Sequence, residues 1–338
     1  MLLRSYQVDR RCIVSQRQRW GIFRLVSLFT VAAAATALLT MGSNPTPGYG
    51  RTWMSVDYVG DGKTGHLLDV YLPATGSGPF PVVVGIYGSA WTSSDGKGPF
   101  GKALAKMLCP EGFATVAINH RGTLVAPESG ALYASGDIFP AQIHDVKAAV
   151  RFIRANAAKY ILDPNRIAVM GGSSGGHLAA LLGTSGGVSS YTVGDTTMSI
   201  EGSLGKYQTT SSQVQAVVDY SGATDFLTLN DCYYTKDHNA EDSAASILIG
   251  GPIQEHPEEC ALANPITYID SADPTFFIAH GSRDPQIPWC QSQKLYDALT
   301  AAGVQSIFKL VAGAGHADVG TPETIVATVA FLKAMLHP

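Results

Sequence analysis

One stretch, Arg166 to Gly183, constrains the fold of this chain more than any other: Arg-Ile-Ala-Val-Met-Gly-Gly-Ser-Ser-Gly-Gly-His-Leu-Ala-Ala-Leu-Leu-Gly. A short apolar run, Ile167 to Met170, breaks into glycines and serines and resumes as Leu178, Ala179, Leu181 and Leu182 at helical spacing. It reads strand, sharp turn, helix. Gly172-Ser173-Ser174-Gly175-Gly176 matches Gly-x-Ser-x-Gly with Ser174 in the central place, the pattern of a nucleophile elbow whose glycines let strand and helix pass closely. Ser173 is the rival nucleophile, framed by Gly171 and Gly175 with a serine directly after it, and Ser174 has the better frame. The Gly175 amide falls at the start of the helix, where N–H groups lack partners and the dipole favours negative charge, so it suits an oxyanion. No Gly-Lys-Ser/Thr follows and no Gly-x-Gly-x-x-Gly register fits, which argues against a phosphate-binding loop.

Around the elbow the pattern alternates strands with helices. Trp53 to Val59 and His66 to Leu72 form a first hairpin, and Pro81 to Tyr87 is a β-branched run of the kind buried on both faces of a sheet. A helix from Gly101 to Cys109, a strand from Phe113 to Asn119 and a long helix from Ile143 to Tyr160 lead into the elbow strand. Strands at Val214 to Tyr220, Thr275 to Ala279 and Ser306 to Val311 follow, with helices from Gln291 to Ala302 and Pro322 to Leu336. This order predicts an α/β, doubly wound, mostly parallel sheet of about eight strands with right-handed crossovers. Residues 186–212 and 222–264 break the rhythm and are expected to be insertions that form pocket walls.

A serine alone is a poor nucleophile, so a base and an orienting acid must follow it. His316, in Gly313-Ala-Gly-His316 just after a strand, is the expected base, with His280 and His177 as rivals. Asp284, in the loop after Thr275 to Ala279, is the expected acid and completes the order serine, acid, histidine; Asp225 is the runner-up. Further oxyanion donors are expected from the amides of Ser89 and Ala90, in the loop Tyr87-Gly88-Ser89-Ala90-Trp91.

The N-terminus differs in kind. Arg4, Arg10, Arg11, Arg17, Arg19 and Arg24 precede an apolar run from Leu25 to Met41, then a turn-rich segment, which together predict an export signal or an N-terminal anchor over residues 1–42. Residues 43–52 read as a linker and 53–338 as the catalytic domain, so the protein is expected to be secreted or periplasmic, and membrane-anchored if the leader is not cleaved. Beyond the leader stand Cys109, Cys232, Cys260 and Cys290, which allow three pairings. Cys232 and Cys260 bracket a polar segment with no obvious core, and a disulfide between them is expected. A net charge of −4 with intermixed signs gives no case for nucleic acid, and no ligand cluster supports a metal site.

Four segments carry a family resemblance: the elbow Gly-Gly-Ser-Ser-Gly-Gly-His-Leu, the run Pro140 to Arg154, Asp163-Pro-x-Arg166-Ile, and His280-Gly-x-x-Asp284-x-x-x-Pro288. From about Val56 to Leu336 the chain resembles the α/β-hydrolases, and within them the carboxylesterase/lipase branch that includes feruloyl-esterase-like (BD-FAE-like) esterases and kynurenine formamidases. That branch usually has His-Gly-Gly-x-Trp in the oxyanion loop, whereas here Tyr87 replaces the histidine and Ser89 the second glycine. The resemblance and the triad order imply a serine carboxylic ester hydrolase acting through an acyl-enzyme without a cofactor, and the leader adds secretion. An amide-bond hydrolase of the same fold is the alternative. Tyr87, Trp91, His177, Phe226, Tyr233 and Tyr234 are expected to line an aromatic, partly polar substrate pocket suited to short-chain or aromatic esters, small or polysaccharide-linked.

Overall fold

The computed structural model describes residues 48–125, 133–134, 136–232 and 236–337, so the leader, Tyr233 and Tyr234 lie outside the described residues. Eight strands form the main sheet: β1 (Thr52–Asp57), β2 (Leu67–Tyr71), β3 (Phe80–Ile86), β4 (Ala114–Ile118), β5 (Leu162–Gly172), β6 (Ala216–Tyr220), β7 (Thr275–Gly281) and β8 (Ser306–Val311). Their order across the sheet is β1-β2-β4-β3-β5-β6-β7-β8. β1 and β2 pair antiparallel, as does β2 with β4, and the others are parallel. Every residue of β3 and β4 is buried, which is why both read as unbroken apolar runs.

Helices cover both faces: α1 (Lys97–Leu108), α2 (Ala141–Ala155), α3 (Ser174–Thr184), α4 (Ala244–Ile249), α5 (Pro257–Ala263), α6 (Cys290–Ala301) and α7 (Pro322–Leu336). The side chains of each face build their own core. Val82, Val84, Val169, Val217 and Ile278 pack on one side with α2 and α3. Val83, Ala168, Met170, Val218 and Phe277 pack on the other with α1 and α7. The long helix expected from Ile143 to Tyr160 is broken at Asn156, whose amide group caps the Phe152 carbonyl at 2.8 Å before one more turn, Ala157–Tyr160.

The two insertions are more ordered than their composition suggests. Residues 186–212 contain a hairpin, Ser190–Val193 with Thr196–Ser199, and are clamped to α2 through Glu201, which meets Lys147 at 3.0 Å and also pairs with Arg151. Both basic side chains are buried, and the shared carboxylate compensates their charge. Residues 222–264 carry α4 and α5 and give Phe226, Leu229, Leu248, Ile253 and Leu262 to the main core. The expected disulfide is corrected here: Cys232 is bonded to Cys290, with 6.5 Å between the Cα atoms. Cys260 faces inward from α5, fully buried, and donates to the Ile253 carbonyl at 3.4 Å. The bridge therefore ties the second insertion to the first residue of α6 and does not close the insertion on itself.

Candidate active site

Strand register brings the functional loops to one edge. The ends of β5, β6, β7 and β8 are aligned through Gly172↔Tyr220, Tyr220↔Ala279 and Ala279↔Lys309. The elbow, the loop with Asp284 and the loop with His316 leave the carboxyl ends of these neighbouring strands, where ligands of open α/β sheets bind.

At the elbow the structure corrects the nucleophile frame. Ser173 has φ 57° and ψ −126°, a conformation that non-glycine residues avoid at a cost of roughly 1–3 kcal/mol. Ser174 is already the first residue of α3 and is 2% exposed, whereas Ser173 is half-buried at the turn. The glycines agree. A Cβ on Gly171 would overlap the Gly175 carbonyl, and a Cβ on Gly175 would overlap the Ile86 carbonyl, so these two permit strand, turn and helix to cross. A Cβ on Gly172 would find its nearest neighbour at 3.8 Å, an ordinary contact. The frame is thus Gly171-x-Ser173-x-Gly175. Both serines fit the motif as written, and only the backbone angle tells them apart.

In that frame the amide next in the chain is that of Ser174 and not Gly175; its N–H lies at the first position of α3 and has no helical partner. The Ser89 amide donates to Ser174 Oγ at 2.9 Å, docking the loop after β3 against the elbow. Ala90 and Trp91 in that loop have φ of 52° and 59°, the left-handed region, and Ala90 is exposed. Gly88 is required: a Cβ there would lie 2.7 Å from the Gly172 carbonyl and 2.9 Å from Ser173 Cβ.

His316 Nδ1 donates to Asp284 Oδ2 at 2.6 Å. Asp284 Oδ1 accepts the Gln286 and Ile287 amides at 2.8 and 3.0 Å. Burial alone would raise the Asp284 carboxyl, but the hydrogen bonds and charge of His280 and His316 hold it well below the usual carboxylate range. The His316 loop rests on β7, since a Cβ on Gly281 would overlap the Ala314 and Gly315 carbonyls. No hydrogen bond joins Ser173 to His316 among the described residues; such contacts in free enzymes commonly tighten once substrate is seated. Asp225 is engaged elsewhere, with Thr228 Oγ1 at 2.8 Å, Asn264 Nδ2 at 3.3 Å and Lys294 at 3.5 Å.

The expected pocket lining is also corrected. Tyr87, Trp91, His177 and Phe226 are all buried, and they pack with one another or with the loops beneath the site. Tyr87 stacks on His120 at 4.9 Å and donates its hydroxyl to the Ser93 carbonyl at 2.7 Å, which anchors the oxyanion loop. His177 Nδ1 accepts from Trp91 Nε1 at 3.1 Å, so Nε2 carries the proton and donates to the Ala263 carbonyl at 2.8 Å. Burial drives this imidazole down to about 4, keeping it neutral. His177 therefore joins the oxyanion loop, the elbow helix and α5, a role that one histidine on an apolar helix face does not announce.

These parts match a known family. The BD-FAE family model covers residues 68–299, the span from β2 through most of α6. The chain belongs to the BD-FAE family. This BD-FAE member is 30% identical over 290 residues to Esterase LipQ of Mycobacterium tuberculosis, covering 82% of the chain and 60% of LipQ. It spans 56% of Esterase LipC of the same organism, so it accounts for little more than half the length of these curated relatives. Among solved structures it resembles a truncated carbohydrate esterase from gut microbiota, with TM-score 0.79 and 36% identity over 87% of this chain and 99% of that one. It also resembles a bifunctional GH43-CE protein of Bacteroides eggerthii, with TM-score 0.76 and 42% identity over 84% of this chain and 38% of that one. The BD-FAE member has the α/β-hydrolase fold, as its eight-stranded sheet and these neighbours agree.

Proposed function

We propose that this protein is a serine carboxylic ester hydrolase. The observation that carries the reading is the pairing of a left-handed Ser173 at the strand-to-helix turn with an Asp284–His316 hydrogen bond at the same sheet edge. Ser173 Oγ attacks the ester carbonyl, and its proton passes to His316 Nε2, the nitrogen left free by the bond from Nδ1 to Asp284. The tetrahedral oxyanion is received by the N–H groups of Ser174 and Ala90, while the Ser89 N–H is held by Ser174 Oγ. Collapse breaks the bond to the alcohol, which leaves with the proton from His316. Water, deprotonated by His316, then attacks acyl-Ser173 and releases the acid.

The substrate class rests on the relatives. Two similar structures at 36% and 42% identity are a carbohydrate esterase and a GH43-CE protein, which favours an ester on a carbohydrate; the short acyl or aromatic class, of the acetyl or feruloyl type, is taken from the family resemblance alone. The expected aromatic lining gives no support, since Tyr87, Trp91, His177 and Phe226 are buried. Export is part of the reading: an arginine-rich segment and the apolar run Leu25 to Met41 precede the domain, and a disulfide joins Cys232 to Cys290. A panel of acetylated and feruloylated oligosaccharides, aryl esters of rising acyl length and aryl amides tests it. Highest kcat/KM on short or aromatic esters is expected; specificity that climbs to long acyl chains, or that favours amides, overturns it.

A further inference from the structure

The acid of the site receives two histidines. Besides His316, the buried His280 places Nε2 3.2 Å from Asp284 Oδ2 and 2.9 Å from the Ile287 carbonyl. Both neighbours are acceptors, so Nε2 carries the proton and shares it between them. Nδ1 of the same ring lies 2.7 Å from Ser292 Oγ on α6, so the serine hydroxyl donates to it and fixes this tautomer. With the Gln286 and Ile287 amides on Oδ1, the Asp284 carboxylate has donors on both oxygens, and His280 supplies one that the acid loop itself does not.

We propose that His280 is a positioning residue for the catalytic acid: backed by Ser292, it donates to Asp284 Oδ2 and holds the carboxylate in the orientation from which that same oxygen aims His316. This rests on the reading of Asp284 and His316 as acid and base. The geometry explains why a full imidazole is buried at the end of β7, where an apolar residue would fill the space without the cost of burying a polar ring. It also links the Cys232–Cys290 bridge to the chemistry, because Cys290 and Ser292 share the first turn of α6.

Other charged or titratable groups surround the pair. His316 arrives from the loop after β8, and His238 from the second insertion meets the Gln286 carbonyl at 2.8 Å. Lys236 reaches Gln286 Oε1 at 3.5 Å, Arg283 precedes the acid on the exposed surface, and Asp318 lies beyond Gly315. Of these, His316 shares Asp284 Oδ2 with His280, at 2.6 and 3.2 Å, while His238 and Lys236 are engaged with Gln286.

The test is kcat, KM and the pH profile of kcat/KM for His280→Ala, His280→Gln and Ser292→Ala on an aryl acetate. Active sites are counted by stoichiometric reaction with a diethyl aryl phosphate. For His280→Ala, kcat per active site should fall about 10- to 100-fold, the cost of a slightly misplaced catalytic group, with KM little changed. The acid limb should move to higher pH, because a carboxylate relieved of one donor holds the His316 imidazolium more tightly. His280→Gln, whose amide can still donate, should recover most of the loss. A loss explained entirely by fewer titratable sites, with an unmoved pH profile, overturns the proposal, as does a glutamine variant no better than alanine. If His280→Ala does not fold, Ser292→Ala decides: a smaller change in the same direction supports the proposal and a wild-type profile overturns it. Asp284→Asn separates the two levels, since wild-type activity there sinks the assignment of the acid itself. An inactive Asp284→Asn beside an unaffected His280→Ala sinks only the role of His280.

Discussion

The amide of Ser89 donates to the hydroxyl of Ser174 at 2.9 Å across 85 residues of chain, so this buried serine serves as the latch between oxyanion loop and elbow. Its neighbour Ser173 bears the backbone strain and is half-buried at the turn. Two adjacent serines thus differ in backbone and in hydrogen bonding, a difference that one motif cannot distinguish.

Strain gives a stability test that needs no substrate. Glycine tolerates φ near +57° without a Cβ penalty, so Ser173→Gly should be more stable than Ser173→Ala by about 1 kcal/mol. At position 174, inside the first turn of α3, the order should reverse by a similar amount. Urea midpoints of the four variants check it, and a glycine penalty at both positions would remove the argument for Ser173.

The glycines give a second, steric test. Gly172→Ala meets nothing closer than 3.8 Å and should fold, whereas Gly171→Ala and Gly175→Ala drive a methyl into backbone carbonyls and should yield little soluble protein. Soluble yield and thermal midpoint are the readouts. Had Gly172 been the frame glycine, the sensitivity would fall there instead.

The disulfide partner is checked by peptide mapping without reduction, which should recover a Cys232–Cys290 peptide and a free Cys260 thiol. Removing the bridge by Cys232→Ser frees a 58-residue separation, worth ~4 kcal/mol in the chain-entropy model. A peptide joining Cys232 to Cys260 would restore the pairing expected from spacing.

Asp219 supplies a pH signature. This carboxyl is buried beside the elbow, with Oδ1 accepting the Gly222 amide at 2.9 Å and Oδ2 without a partner among the described residues. Burial pushes it up to about 7, against the opposing effect of the Gly222 hydrogen bond. A carboxyl raised above its unfolded value of about 4 is harmless below that pH, and its cost grows as pH climbs toward 7, by up to about 1.4 kcal/mol per unit. Asp219→Asn, which cannot ionise, should therefore gain most stability over wild type at pH 8, keep only part of that gain at pH 5 and lose it below about pH 4. A difference independent of pH contradicts the assignment.

Much of this fold was legible because its strands sit in parallel pairing with both faces covered, so runs such as Pro81 to Tyr87 stand out as apolar. Asp284 and His316 were legible because each follows a strand end in a short loop, and the structure brings the two to 2.6 Å. What was hidden depends on backbone angle or on inward versus outward direction. Ser173 and Ser174 differ in φ, which composition does not carry. Cys260 and Cys290 differ in which way a helix turns them, so spacing chose the wrong partner for Cys232. Trp91, His177 and Phe226 read as pocket aromatics, yet each fills the interior beneath the oxyanion loop. His280 was weighed only as a rival base, because its bond to Asp284 runs back across a turn that the sequence does not reveal.

The central claim is that Ser173 attacks and Ser174 supports. The direct measurement is kcat/KM on an aryl acetate for Ser173→Ala and Ser174→Ala side by side, each confirmed folded. Loss of the nucleophile should lower kcat by roughly four to six orders of magnitude. Loss of the Ser174 latch should cost only about tenfold, the worth of one neutral hydrogen bond that positions a loop. An inactive Ser174→Ala beside an active Ser173→Ala contradicts the account.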